Sequence, residues 1–235
     1  MKTTTRAILL SMLGLGCGST GPSEVRYPIV AEGAASAPFA AGDWTVTLDV
    51  ARVSLGPIYF CATAAASSSL CPAAVQEFAD VAEFDALRPS AQPLGFVTGA
   101  PGSIRSSSYD LGITWFTTQR TATPAAASAG RSAHFEGRAT RGSRTLRFVC
   151  DVRAIPMLQG AQVVQGARVS ADITGSNVRL VVRADAASWW TAVDLSEVES
   201  EGGDPVVIPP SSRIHNAVVV AMTAGAPLRF EWVSQ

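Results

Sequence analysis

Residues 133–153 read AHFEGRATRGSRTLRFVCDVR, and this stretch decides the fold class. Leu146, Phe148, Cys150 and Val152 share one face, opposite Arg147, Val149, Asp151 and Arg153, the period of a half-buried strand. Before them, His134, Glu136, Arg138 and Thr140 share one polar face, with Phe135 and Ala139 on the other. Two strands, over about 132–140 and 144–153, therefore meet at Arg141-Gly142, where glycine supplies the positive φ of a tight turn. A hairpin so strongly patterned on both arms argues for β structure around it.

The same period recurs along the chain. Trp44, Val46, Leu48 and Val50 alternate with Thr45, Thr47 and Asp49, and then the phase flips to Ala51, Val53 and Leu55. One extra residue reverses every later side chain, so a bulge near Val50 is predicted. Gly56-Pro57 breaks this strand before Ile58–Cys61. Tyr109, Leu111, Ile113 and Trp115 predict a strand over 107–117. A second hairpin is expected to join 162–173 to 178–184 through Gly175-Ser176-Asn177, and two further strands to span 214–222 and 228–233. Residues 72–89 place Val75, Phe78, Ala79, Ala82 and Leu87 roughly at helical spacing, although two short strands around Phe78 and Phe84 fit as well. The sum is an all-β fold, an antiparallel β-sandwich of about nine strands with at most one short helix.

Composition agrees with a folded domain. Of 235 residues, 47% are hydrophobic and 16% charged, globular rather than disordered values. A chain of this size buries roughly 70% of its unfolded surface, enough for a core without metals. Lys+Arg 18 against Asp+Glu 19 gives a formal charge of -1, with no clustered cations for a nucleic-acid face. Lys2 is the lone lysine, a bias toward arginine that weakens any argument from one Arg.

The N-terminus predicts export. Lys2 and Arg6 form a basic region, and Ala7–Leu15 an apolar run too short for the ~20 residues of a bilayer span but suited to a signal sequence. The run ends in Leu13-Gly14-Leu15-Gly16-Cys17, which resembles the lipobox of bacterial lipoproteins, where the cysteine thiol receives diacylglycerol. That resemblance implies cleavage before Cys17 and a lipid anchor on it; Gly18, rather than an aspartate, favours an outer-membrane address. Residues 1–16 are then the signal peptide and 17–43, rich in Gly, Ser, Pro and Ala, a lipid-anchored tether. Residues 44–235 are the β-sandwich domain. An ordinary secretory signal with an incidental Cys17 is the alternative.

With Cys17 acylated, Cys61, Cys71 and Cys150 remain. Cys61 and Cys71 flank a small polar loop, and a disulfide closing it would contribute roughly 3 kcal/mol in the chain-entropy model. Cys150, on the apolar face of its strand, reads as a buried small hydrophobe. A Cys61–Cys150 pairing remains the rival.

Strong catalytic motifs are missing: no G-x-S-x-G, H-E-x-x-H, C-x-x-C or phosphate-binding loop occurs. The chain is read as a non-enzyme without a cofactor. With only His134 and His215, a metal shell would have to borrow carboxylates, Met or Cys. His134 and Glu136, two residues apart on one face, are the first candidates and His215 the next; the plainer reading makes the former a solvated strand face and the latter a satisfied histidine near a strand start. Glu197, Glu199, Glu201 and Asp204 offer oxygen ligands for Ca²⁺ but match no standard calcium loop, so a solvated acidic loop is preferred. Trp189 and Trp190, with Trp115 and Trp232, are candidates for an aromatic platform holding a glycan or peptide, against the commoner role of core.

Trp44–Leu48, Val53–Cys61, Ser108–Ile113 and Asn216–Thr223 together resemble uncharacterised lipoproteins of myxobacteria and their relatives, a resemblance that brings no activity. More remotely, Leu111-Gly112-Ile113, His134-Phe135-Glu136, Leu146-Arg147-Phe148 and Val178–Val182 follow the order of strands in the MbnP-like copper-binding β-sandwich family. That likeness implies an exported β-sandwich, but Cys150 and Asp151 stand where a histidine would be expected, and no copper ligand is carried over. The expectation is an envelope lipoprotein anchored to the membrane that binds or scaffolds a protein or glycan partner; the alternative is a periplasmic copper or calcium protein.

Overall fold

The computed structural model describes residues 24–64, 74–198 and 203–235. In chain order the strands among them are β1 (Val25–Glu32), β2 (Phe39–Ala41), β3 (Trp44–Leu55), β4 (Ile58–Cys61), β5 (Ala74–Phe78), β6 (Ala82–Asp85), β7 (Gln92–Gly99), β8 (Gly102–Tyr109), β9 (Ile113–Thr114), β10 (Thr123–Pro124), β11 (Ala133–Arg141), β12 (Arg144–Val152), β13 (Val164–Ile173), β14 (Val178–Arg183), β15 (Val206–Val207) and β16 (Arg229–Ser234). The single α-helix among the described residues, α1, spans Arg213–Val220.

The fold is mostly β, as the alternation demands. The central hairpin forms as read: β11 and β12 pair from Ala133↔Val152 to Arg141↔Arg144, with Gly142 at φ +60° in the turn. The bulge also forms. Gly137 faces Leu48 while Glu136 faces Val50, so Asp49 is the extra residue, and burial passes from Val46 and Leu48 to Ala51, Val53 and Leu55 across it. Gly137 is required there, because a Cβ would sit 2.7 Å from the Thr47 carbonyl oxygen and 2.8 Å from the Phe148 ring.

The architecture departs from nine antiparallel strands. One sheet has the order β15-β12-β11-β3-β2, with β6 also on β3; the larger runs β13-β8-β4-β5-β7-β1-β14-β16; β9 and β10 form a separate pair. Both large sheets are mixed, since β1 pairs with β14 and β12 with β15 in parallel. Their inner faces enclose one continuous core that holds Trp44, Phe60, Phe84, Tyr109, Phe135 and Phe148.

Five local expectations are corrected. Residues 25–32, assigned to the tether with the rest of 17–43, form β1 between β7 and β14, because Val25, Tyr27, Ile29 and Ala31 alternate into the core. The domain therefore starts before Trp44. The 72–89 segment yields β5 and β6 rather than a helix, with Phe78 and Phe84 buried. The 107–117 strand breaks at Asp110, whose N–H donates to the Pro57 carbonyl, and at Gly112, which adopts φ +76°.

The 162–173 and 178–184 segments are strands but not partners. β13 pairs with β8 at one edge, while β14 inserts between β1 and β16. Leu180-Val181-Val182 is buried on both faces and so needs a central position, whereas half-exposed β13 fits an edge. Lastly, 214–222 is not a strand. Ile214, Val218 and Met222 are buried at a spacing of four, and Ser212 caps α1 by accepting from the His215 N–H at 3.1 Å.

Candidate functional site

The histidines are held apart in separate contacts. His134 lies on the outer face of β11, and its cross-strand neighbour on β12 is Asp151. Nδ1 lies 2.6 Å from Asp151 Oδ1 and Nε2 3.0 Å from Glu136 Oε1, and Arg131 reaches Asp151 at 3.4 Å. His134 and Glu136 thus meet, as their spacing suggests, and Asp151 joins them, but the carboxylates flank opposite ring nitrogens instead of converging on a common point. No group of three potential ligands among the described residues is arranged to hold a metal ion.

His215 belongs to the first turn of α1 and not to a strand start. It is buried, its Nε2 accepts from the Arg153 N–H at 3.4 Å, and its Nδ1 has no partner. In the acidic loop, Asp204 is taken by Arg147 at 2.7 Å, which lowers its carboxyl below the usual range, and Glu197 accepts from the Arg213 N–H. Glu199 and Glu201 lie outside the described residues.

The aromatic platform is absent at Trp189 and Trp190. Both indoles are buried at 1% and 0% exposure. They pack on the inner face of the β11–β12 hairpin: Phe135 meets Trp190 edge-on at 5.4 Å between centroids, and Phe148 lies tilted on it at 4.8 Å. A short 3-10 turn over Ala187–Trp189 lets adjacent tryptophans enter one core, which a strand would forbid. Trp232, on β16, is half-buried and donates to the Tyr27 hydroxyl.

Cys150 is a free thiol, buried on β12 and pushed up to about 12 by desolvation and then by Asp151, so it is inert as a nucleophile. Cys61 is buried and not a titrating thiol, and a free Cys150 leaves the rival Cys61–Cys150 pairing unmade. Cys17 and Cys71 lie outside the described residues.

Two features escaped the sequence reading. Asp110 is buried at 1% exposure, with Oδ1 accepting from the Val163 N–H at 2.8 Å. Burial pushes its carboxyl up to about 7, against the opposing pull of that hydrogen bond. Nothing in Tyr109-Asp110-Leu111 distinguishes this aspartate from a surface one. The second is a cleft. β13 and β16 are the two ends of the eight-stranded sheet, yet residues 167–169 and 225–230 line one cavity of ≈ 700 Å³, with Arg183, Asp185 and Ser188 completing it. The sheet curls until its edges face each other across this gap. Only the non-local strand order creates it, so no sequence signal marks it.

No family model matches the chain, and no curated protein matches it significantly. Among solved structures, MbnP from Methylosinus trichosporium aligns with a TM-score of 0.44 and 14% sequence identity, covering 86% of this chain and 89% of that one.

Proposed function

We propose that this chain is a non-catalytic binding protein of the bacterial envelope, tethered by a lipid on Cys17 at the outer membrane, and that its partner occupies the cleft between β13 and β16. The observation that carries the binding reading is the pair of guanidinium groups on opposite lips of that cleft. Arg168 on β13 and Arg229 on β16 are exposed, and neither has a hydrogen bond or ion pair among the described residues. Arg183, by contrast, is neutralised by Glu32 at 2.6 Å and Glu231 at 2.8 Å. Unpaired, pre-positioned arginines at a concave site suit an anionic group, which they can bind in bidentate fashion.

The non-catalytic reading draws on the histidines. His134 contacts carboxylates and His215 a backbone N–H, so neither addresses a hydroxyl or thiol as a general base would. The lipid anchor draws on the order of basic residues, short apolar run and Gly16-Cys17. A Cys61–Cys71 disulfide closing the intervening loop completes the proposal.

The test uses the full tethered chain as bait in envelope extract, beside an Arg168→Glu/Arg229→Glu double variant. A partner retained by the natural chain and lost with the variant is the expected result; equal retention by both would move the site elsewhere.

A further inference from the structure

We propose that the cleft takes an extended polypeptide segment, which enters as an added strand between β13 and β16 and carries acidic side chains on its outward face. This deepens the cleft reading above and rests on it.

The first argument is backbone chemistry. β13 pairs with β8 alone and β16 with β14 alone, so each turns an unpaired strand edge toward the cleft. An edge is a template for another strand, and a protein exposing one in the open risks sheet-to-sheet association. Here the two edges face each other across a gap. Another protein's sheet cannot enter such a gap, whereas a single extended segment can and would find ladder partners on both sides. Followed through the ladders, β13, β4, β7 and β16 run one way and β8, β5, β1 and β14 the other, so β13 and β16 run the same way. A segment running against both would make antiparallel ladders on each side.

The second argument is the alternation of the lips. Ala167 and Val169 on β13 and Phe230 on β16 point to the core but are only half-buried, because no neighbouring strand covers them. Arg168 and Arg229 point outward. An inserted strand has the same period of two, so its inward side chains would meet the apolar set and its outward ones the arginines. Arg229 also stands directly opposite Arg183 in the β14–β16 register, a like-charge pair in which Glu32 and Glu231 serve Arg183 and nothing serves Arg229. A carboxylate from the segment supplies the missing charge. The ligand class is therefore a strand of alternating apolar and acidic residues.

The probe is an eight-residue peptide of alternating valine and glutamate, capped at both ends and labelled with fluorescein, titrated into the full chain at low salt. Saturable binding is expected, with amide hydrogen exchange slowed in both β13 and β16. The double variant Arg168→Glu/Arg229→Glu should bind at least tenfold more weakly, a valine–lysine peptide should not bind, and a twin N-methylated at alternate residues should lose binding through its missing N–H donors. Equal binding by the N-methylated twin would overturn the strand mode in favour of simple anion capture. Absence of saturation at millimolar peptide would overturn it too. If the peptides fail while an envelope partner is still lost with the double variant, the strand mode falls and the cleft reading stands.

Discussion

Replacing Asp110 by Asn tests how the protein tolerates a buried carboxyl. Its folded-state pKa of about 7 lies above the ordinary value of 3.8, with desolvation as the first cause. The folded state therefore holds this proton more tightly than the unfolded chain. Below pH 4 the group is neutral in both states and costs nothing. Between pH 4 and 7 the unfolded chain ionises while the folded one does not, so stability falls as pH rises, and above pH 7 the full penalty stands. At about 1.4 kcal/mol for each tenfold change in proton affinity, the rise from 3.8 to about 7 gives ~4 kcal/mol as the ceiling. Asparagine is neutral throughout and keeps an oxygen for the Val163 N–H, but its amide N–H groups also need partners, so a gain of about 1–3 kcal/mol at pH 8 is expected. At 2–4 °C per kcal/mol for a domain of this size, thermal unfolding followed by circular dichroism resolves it easily. The signature is the pH dependence: the variant should gain on the natural chain between pH 4 and pH 8 and match it or lose slightly at pH 4. A loss that is equal at pH 4 and pH 8, or that grows toward pH 8, would refute the reasoning: the first would mean that the carboxyl's pKa does not change on folding, the second that the folded state stabilises the ionised carboxylate.

Other outcomes follow from the same geometry. Gly137→Ala drives a methyl into the Thr47 carbonyl and the Phe148 ring and should cost about 2 kcal/mol or more by urea unfolding, against about 1 kcal/mol for Gly142→Ala, where the strain is only the positive φ. Peptide mapping without reduction should find Cys61 linked to Cys71 and Cys150 as a slowly reacting thiol; a Cys61–Cys150 peptide would contradict the buried free Cys150. Cys17→Ser should leave detergent-phase partitioning for the aqueous phase, and firm partitioning by the variant would end the lipid-anchor proposal. Protein purified without chelator should hold no stoichiometric copper, because His134 and His215 make separate contacts; one copper per chain, lost on His134→Ala, would restore the metal reading.

What was legible in the sequence is what neighbours along the chain decide. The β11–β12 hairpin needs only two alternating arms and a glycine between them, and the β3 bulge shows as a change of phase within twelve residues. Cys150 reads as buried from its own strand face. His134 and Glu136 meet because a period of two puts them side by side.

Pairing between distant segments is different, because period and composition say which face is buried but not against what. β13 and β14 look like a hairpin through their short connection, yet the two-sided burial of Leu180–Val182 draws β14 between β1 and β16. β1 hides in a small-residue segment until β7 and β14 give its alternation partners. In α1, the valines that suggest a strand are overruled by the Ser212 cap and the core under Ile214, Val218 and Met222. Trp189 and Trp190 become core only through a turn that places both against Phe135 and Trp190 also against Phe148. The cleft goes furthest in this direction. Its lips come from strands some sixty residues apart, and it exists because the curl of an eight-stranded sheet brings two unpaired edges face to face, a property of the whole sheet that no local pattern contains.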